Sequence, residues 1–178
     1  MKSRKFIVAG ATAAVAALAA PGSALALDQP VTGTTATTIA LSAPTTATFG
    51  VGLSPGSTAN STGGTVTAAD TNSSWTLSAK DGAAVGANGK MDAAALGCTN
   101  SPAELANALG ITVTPVVANA AITPTARSLS SLDQTVASAT AVPLAATVFT
   151  TAFSQAVGSS EALQAGCVYS LTATYTLA

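Results

Sequence analysis

Histidine is absent from this 178-residue chain, and charged and aromatic residues are scarce. Without histidine the chain lacks the commonest general base, the Ser-His-Asp triad and the usual catalytic zinc ligands. Charged residues make up 7% of the chain, against roughly 25% in ordinary soluble domains. Hydroxyl groups must therefore provide most of the polar groups that interact with water at the surface. These absences favour an extracellular protein without an enzyme's active site.

The N-terminal segment has the layout of a cleavable secretory signal peptide. A basic stretch at 2–5 precedes an apolar run at 6–20, and a Pro-Gly pair ends that run. Ala24-Leu25-Ala26 supplies the small residues that a cleavage site requires. A membrane anchor is the alternative, but the run is too short to span a bilayer comfortably. We expect residues 1–26 to form a helical signal peptide that is removed, and 27–178 to form a secreted or cell-surface domain.

The expected mature chain is weakly acidic. Lys80, Lys90 and Arg127 are its only basic residues, against seven acidic ones, so its formal charge is −4. Nucleic acids and anionic lipids bind basic surfaces. We therefore expect no nucleic-acid partner, and no membrane association after cleavage.

Alternation of apolar and polar residues predicts strands along the whole mature chain. The most regular segment is 168–177, and for that reason we expect it to lie in the centre of a sheet. The segment 143–157 is predicted to carry one or two strands, with Phe149 and Phe153 on one side. The remaining predicted strands cover 35–43, 47–53, 111–117 and 127–132. Seven to nine short strands in about 150 residues are typical of a single all-β domain, an Ig-like β-sandwich, with a small barrel as the alternative.

The only tryptophan lies in a predicted β-hairpin. Strands at 65–69 and 74–80 flank the turn residues 70–73. Trp75 and Leu77 then share the inward face. Trp75 is most simply an aromatic anchor of the core. The alternative is an exposed ring that stacks on sugars of a wall polymer.

Two other segments are predicted to lie outside the sheets. Residues 57–64 are polar and predict a loop. Ser101 and Glu104 match a capping box, which predicts a short helix at 105–109.

Cys98 and Cys167 are the only cysteines. In a secreted protein such a pair favours a disulfide, with two buried free thiols as the alternative. Closing this loop stabilises the fold by roughly 4 kcal/mol in the chain-entropy description. We expect the bond to hold the irregular segment 81–102 near Cys98 and to leave the rest of that segment mobile.

The acidic residues are scattered and lie beside small or turn-forming residues. A glycosidase needs two carboxyl groups about 5–9 Å apart, and such a pair stays an alternative, because spacing along the chain does not fix the distance between these acids in space. They lack the regular spacing of a calcium loop. We interpret them as turn and cap residues, and expect no catalytic, metal or cofactor site.

The segment from Val66 to Ala79, with its Trp75-Thr76-Leu77 tripeptide, resembles the first WxL hairpin of WxL-domain surface proteins of Gram-positive bacteria. Tyr175-Thr176-Leu177 stands where that family has its second WxL motif. The resemblance implies a β-rich domain that associates non-covalently with peptidoglycan or other surface proteins as an adhesin or scaffold. It marks Trp75, Leu77, Tyr175 and Leu177 as core or wall-binding positions.

A fainter resemblance is to secreted pilin-like subunits of the spore coat U type. Phe49-Gly50 and Gly166-Cys167-Val168-Tyr169 are similar to short motifs of that family. With the low charge, this resemblance implies an alternative function as a self-assembling structural subunit, because few charges leave strand edges poorly protected against pairing. A secreted hydrolase is a third and weaker hypothesis. The oligomeric state stays open.

Overall fold

A computed structural model describes residues 38–49, 52–83, 85–93, 98 and 101–178. All of them belong to one unit, Ala36–Ala178. They form fourteen strands and no helix. Eight strands have five or more residues, in agreement with the seven to nine expected, and the others have two to four. The predicted signal peptide at 1–26 lies outside the described residues.

The strands, in chain order, are β1 Ile39–Leu41, β2 Thr48–Phe49, β3 Thr58–Thr62, β4 Gly64–Asp70, β5 Trp75–Asp81, β6 Lys90–Ala93, β7 Glu104–Ala108, β8 Gly110–Pro115, β9 Thr123–Pro124, β10 Arg127–Ser128, β11 Gln134–Ala139, β12 Leu144–Ala156, β13 Tyr169–Ser170 and β14 Ala173–Leu177. They form sheets of seven, four and three strands, and every pairing is antiparallel.

The seven-stranded sheet is organised around β12. One edge of β12 pairs first with β4 and then with β3, while the other edge pairs with β8. β1 and β2 pair with the outer sides of β4 and β3, and β10 pairs with β8. The predicted side of Phe149 and Phe153 is confirmed, because Phe149 is buried and Phe153 packs against the core.

The second sheet has the order β14-β5-β11-β9. β5 and β4 therefore lie in different sheets, and the predicted hairpin between them is wrong. The chain between them makes a turn in which the Asp70 carboxylate accepts a hydrogen bond from the backbone N–H of Asn72. Beyond that turn β5 pairs with β11 and β14. The alternation itself is confirmed, since both strands bury every second residue.

The two sheets enclose the core, as a β-sandwich does. Trp75 packs edge-on against Phe149, with their ring centroids 6.3 Å apart. The Trp75 indole N–H donates a hydrogen bond to the carbonyl of Val142. The other fully buried large apolar residues are Val66, Leu77, Leu105, Ile111, Val113, Leu129 and Val136.

The third sheet, β13-β6-β7, replaces the predicted helix at 105–109. Leu105 and Leu109 are both buried. A spacing of four residues puts two side chains on one face of a helix, but also on one face of a strand. Glu104 forms an ion pair with Lys90 of β6 and does not cap a helix.

The segment 168–177 is not one central strand, so that prediction is wrong. It divides into β13, which pairs with β6, and β14, which forms an edge of the second sheet. The predicted inward face is confirmed. Tyr169 is buried and the alternate residues to Leu177 are half-buried, while the residues between them are exposed.

Two other sequence predictions need correction, and one strand was not predicted. The polar loop at 57–64 contains β3, in which Ala59 is buried. The strand at 127–132 is reduced to the two residues of β10. β11 was not predicted at all, because a register shift between Thr135 and Ala137 interrupts its alternation.

Candidate functional site

The six aromatic side chains of the described residues divide into two groups. Trp75 and Phe149 are buried in the core. The other four border one cleft, and these are Phe49, Phe153, Tyr169 and Tyr175. A chain with so few aromatic residues thus places most of them around one opening.

This cleft, which we call the aromatic cleft, has a volume of about 610 Å³. Pockets that bind small molecules have volumes of about 300–1,000 Å³. Its walls are the segment 44–49, the side chains of Thr151 and Phe153 on β12, and the segment 167–173 with Tyr175. Met91 and Leu109 contribute further apolar lining.

The polar groups of the aromatic cleft are neutral. The hydroxyl residues among its lining are Thr45, Thr46, Thr48, Ser61, Thr151, Ser170 and Thr172. The described residues that line it include no acidic or basic side chain. Such a surface matches an uncharged ligand that has both apolar faces and hydroxyl or amide groups, because a charged ligand would lose hydration without gaining an opposite charge.

Tyr175 carries a buried phenol oxygen at this cleft. Its Oη has no hydrogen-bond partner in the described part of the chain. Burial raises the pKa of the Tyr175 phenol above 10.0. The Thr151 hydroxyl interacts with the phenol and opposes that rise in pKa, but the two groups do not reach hydrogen-bonding geometry. Because the oxygen is buried from solvent, a ligand in the cleft would contact the Tyr175 ring and not this oxygen.

The wall formed by the segment 167–173 is held by a disulfide and by a hydrogen bond. Cys98 and Cys167 are bonded, with their Cα atoms 5.1 Å apart, so the predicted disulfide is confirmed. Cys167 itself lines the cleft. Two residues later, the Tyr169 hydroxyl donates a hydrogen bond to the carbonyl of Pro102. Both links join the last part of the chain to the segment around 98–102.

The segment 81–102 is held by more than the disulfide. The buried Asp81 carboxylate accepts hydrogen bonds from the backbone N–H groups of Ala83, Asn88 and Gly89. Met91 of β6 is buried in the core. These contacts hold residues 88–91, so the expectation that this segment is fixed only near Cys98 is wrong for that part of it. Residues 84, 94–97 and 99–100 lie outside the described residues.

The structure separates the residues that the WxL-like motifs mark. Trp75 is 2% exposed and Leu77 is fully buried, so the core interpretation of Trp75 is confirmed and an exposed sugar-stacking Trp75 is contradicted. Tyr175 lines the cleft, and Leu177 is half-buried beside the core. Sequence reasoning assigned no site role to Phe49 and Phe153. Their distance in sequence, about a hundred residues, gives no indication that they share a cleft.

The carboxylates of Asp70, Asp81 and Glu161 accept hydrogen bonds from nearby backbone N–H groups, as predicted for turn and cap residues, whereas Glu104 and Asp133 form ion pairs with basic side chains instead. Glu161 accepts hydrogen bonds from the backbone N–H groups of Ala106 and Gly158. Asp133 forms an exposed ion pair with Lys80. Glu104 accepts hydrogen bonds from Asn88 and Lys90, and these lower its pKa. The described residues contain no group of three or more side chains suited to holding a metal ion.

No protein-family model, curated protein or solved structure matches this chain. Within the described residues, no helix is long and apolar enough to cross a membrane.

Proposed function

We propose that this protein is a secreted, non-catalytic surface domain that associates non-covalently with the peptidoglycan wall, as an adhesin or scaffold. The observation that carries the proposal is the aromatic cleft, where four rings and a row of neutral hydroxyls converge. The signal-peptide layout of residues 1–26 and the Cys98–Cys167 bond support an extracellular location.

The chemistry of the cleft suits the uncharged parts of a wall polymer. A pyranose ring has an apolar face of C–H groups that packs on an aromatic ring, and hydroxyl and acetamido groups that need hydrogen-bond partners. The rings of Phe49 and Phe153 supply the first type of contact. The exposed hydroxyls of Thr46, Ser170 and Thr172 supply the second. Phosphate-rich polymers fit poorly, because no cation is among the described lining residues.

The WxL-like resemblance supports the proposal through the fold and not through direct contact. Trp75 and Leu77 fill the core, so they hold the two sheets together and do not reach a polymer. Tyr175, in the second motif, is the marked residue that lines the cleft. We therefore assign wall contact to the cleft face.

Co-sedimentation with purified peptidoglycan sacculi tests this function. The expressed protein without residues 1–26 is mixed with sacculi over a range of salt concentrations, and the pelleted fraction is measured. We expect binding that changes little with salt, because the cleft carries no charge. A protein that stays in the supernatant at every salt concentration contradicts the proposal.

A matched pair of variants places the binding surface. Thr172→Arg puts a bulky charged side chain at an exposed position of the cleft lining. Thr114→Arg makes the same change at an exposed position of β8 outside the cleft. We expect the first variant to lose binding by about tenfold or more and the second to bind like the unmodified protein. Equal binding by both variants would show that the cleft does not bind peptidoglycan and that another surface does.

The alternative function, a self-assembling coat- or pilin-like subunit, has one specific observation in its favour. Val116 and Val117, in the turn after β8, are 60% and 78% exposed and lie beside the exposed Val148 of β12. Exposed apolar clusters of this kind favour association. Electron microscopy of concentrated protein tests it. Fibres that disappear in a Val116→Ser/Val117→Ser variant support the alternative, and their absence from the unmodified protein contradicts it.

A further inference from the structure

The outer edges of the two larger sheets differ in how well they are protected. β9, at one end of the second sheet, has two residues, one of which is Pro124. β10, at one end of the first sheet, also has two residues and begins with Arg127. A proline, a charge or a short length each hinders pairing with another chain. β14, at the other end of the second sheet, has five residues and none of these features.

The hydrogen-bond register shows which groups of β14 are unpaired. Thr76 and Ala178 exchange both backbone hydrogen bonds, and the N–H of Gly82 donates to the carbonyl of Thr172. In an antiparallel pair such bonds fall on alternate residues. Residues 172, 174, 176 and 178 therefore point their backbone groups at β5. Ala173, Tyr175 and Leu177 point theirs away from it and find no backbone partner in the described part of the chain.

β14 carries no charge of its own, and its charged neighbours on β5 are Lys80 and Asp81, which lie opposite Thr174 and Ala173. No acidic or basic side chain occurs between residues 162 and 178. The pairing of β14 with β5 is regular, without a bulge that would turn the edge aside. Ile39 and Leu41 of the nearby β1 face the same way as the core but are 53% and 36% exposed. The sandwich is thus open along this side.

We propose that β14 pairs antiparallel with β14 of a second copy of this chain, around a two-fold axis at Tyr175. In this register Tyr175 lies opposite Tyr175 of the second copy, and Ala173 lies opposite Leu177. Each of these pairs exchanges both N–H···O bonds, so every unpaired backbone group of the strand gains a partner. The two four-stranded sheets become one continuous sheet.

A second copy fits this edge better than an unrelated strand because β14 is complementary to itself. The small Ala173 lies opposite the larger Leu177 on the inner face. On the outer face Thr174 lies opposite Thr176, a threonine pair that stabilises neighbouring strands. A two-fold contact is also closed, since it uses the edge of both copies and leaves none for further growth. The proposal of this dimer does not rest on wall binding, although Ala173 and Tyr175 also line the aromatic cleft.

Sedimentation of charge variants tests the proposed dimer. Thr174 and Thr176 are both exposed, so the variants Thr174→Lys/Thr176→Lys and Thr174→Glu/Thr176→Glu should fold. When two copies of the same variant pair, the new side chain at position 174 lies directly opposite the one at position 176, and these like charges oppose pairing. We expect each variant alone to dimerise about tenfold or more weakly than the unmodified protein, and an equimolar mixture to recover dimers that contain one copy of each.

The control is Thr114→Lys/Thr123→Lys, which adds the same charge at exposed threonines of β8 and β9. It should dimerise like the unmodified protein. A monomer at all concentrations overturns the proposal, and so does a mixture of the Lys and Glu variants that fails to form mixed dimers. If the charge variants do not fold, amide hydrogen exchange of the unmodified protein tests whether β14 forms the dimer contact. Exchange at 173, 175 and 177 must slow as the protein concentration rises, and exchange that does not change refutes the contact.

Discussion

The Trp75–Phe149 pair and the aromatic cleft use the same residue type for opposite purposes. In the pair, each ring is surrounded by protein, and the indole N–H has a partner in the Val142 carbonyl. In the cleft, Phe49 and Phe153 are half-buried, and the Tyr175 oxygen has no partner in the described residues. The first arrangement is complete without a ligand. The second leaves ring surface that a ligand would cover.

The two regions also differ in what holds them in place. The Trp75–Phe149 region lies between the large sheets, with strands on both sides. The cleft is bounded partly by the short strand β13 and by the segment 44–49, most of which is not in a strand. The disulfide and the Tyr169 hydrogen bond brace that weaker side. A binding surface placed there can vary without disturbing the core.

The largest expected effect comes from emptying the core. Trp75→Ala removes a buried indole and its hydrogen bond, so the free energy of unfolding should fall by about 3–5 kcal/mol. Phe153→Ala, at the half-buried cleft wall, should cost less than half as much. Urea unfolding of both variants measures the difference. Equal losses would show that the two regions are not distinct.

Removing the disulfide should have the next largest effect. Replacing Cys98 and Cys167 by Ala opens a loop of 69 residues, which lowers the free energy of unfolding by roughly 4 kcal/mol or less. Because the bond braces the cleft, hydrogen exchange should accelerate first in β6 and β13 and last in β4 and β5. Uniform acceleration would contradict the account of a locally braced wall.

A smaller, stabilising effect is expected for Tyr175→Phe. At neutral pH the change removes a buried oxygen that lacks a partner, so the free energy of unfolding should rise by about 1 kcal/mol. Binding to sacculi should change little, because the substitution keeps the ring that lines the cleft and removes an oxygen that the ligand does not reach. A loss of stability would indicate that the hydroxyl is paired in the free protein.

The same variant predicts a change in alkaline stability. The pKa of Tyr175 is higher in the folded than in the unfolded chain, so above pH 10 the unfolded chain loses its proton first. Stability that is present below pH 10 is therefore lost as the pH rises through the raised pKa. Phenylalanine does not ionise, so Tyr175→Phe should shift the alkaline unfolding midpoint upward relative to the unmodified protein. An unchanged midpoint would count against a buried phenol.

The smallest effect is expected at Glu104, on the exposed side of β7. Hydrogen bonds from Asn88 and Lys90 lower its pKa below 4.5. The ionised Glu104 carboxylate therefore stabilises the folded chain at neutral pH, and this contribution is lost as the pH falls through the lowered pKa. Glu104→Gln should be slightly less stable than the unmodified protein at pH 7, with a difference that shrinks in high salt and vanishes in acid. A difference that persists in acid would require another cause.

The sequence predicted the faces of the strands better than their partners. Alternation at 65–69 and 74–80 correctly placed Trp75 and Leu77 inside, because side chains alternate along any strand. Alternation does not tell which strand lies next to which. A four-residue turn joins the strands of a hairpin as readily as it carries the chain from one sheet to the other, and here it does the second.

The aromatic cleft was beyond prediction for a related reason. Phe49, Phe153 and Tyr175 come together through the pairings of β12 with β3 and of β14 with β5, both between segments far apart in the chain, and through the pairing of β2 with the neighbouring β3. The disulfide could be predicted because only two cysteines are present. The strand β7 was mistaken for a helix because Leu105 and Leu109 satisfy both periods.

The most direct test of the account compares a core variant with a cleft variant in one sacculus-binding measurement. Trp75→Phe keeps an aromatic ring in the core, and Thr172→Arg obstructs the cleft while leaving the core intact. With both proteins shown to be folded by circular dichroism, we predict that Trp75→Phe binds sacculi like the unmodified protein and that Thr172→Arg binds about tenfold or more weakly. Loss of binding in Trp75→Phe together with full binding in Thr172→Arg would contradict the assignment of wall contact to the cleft.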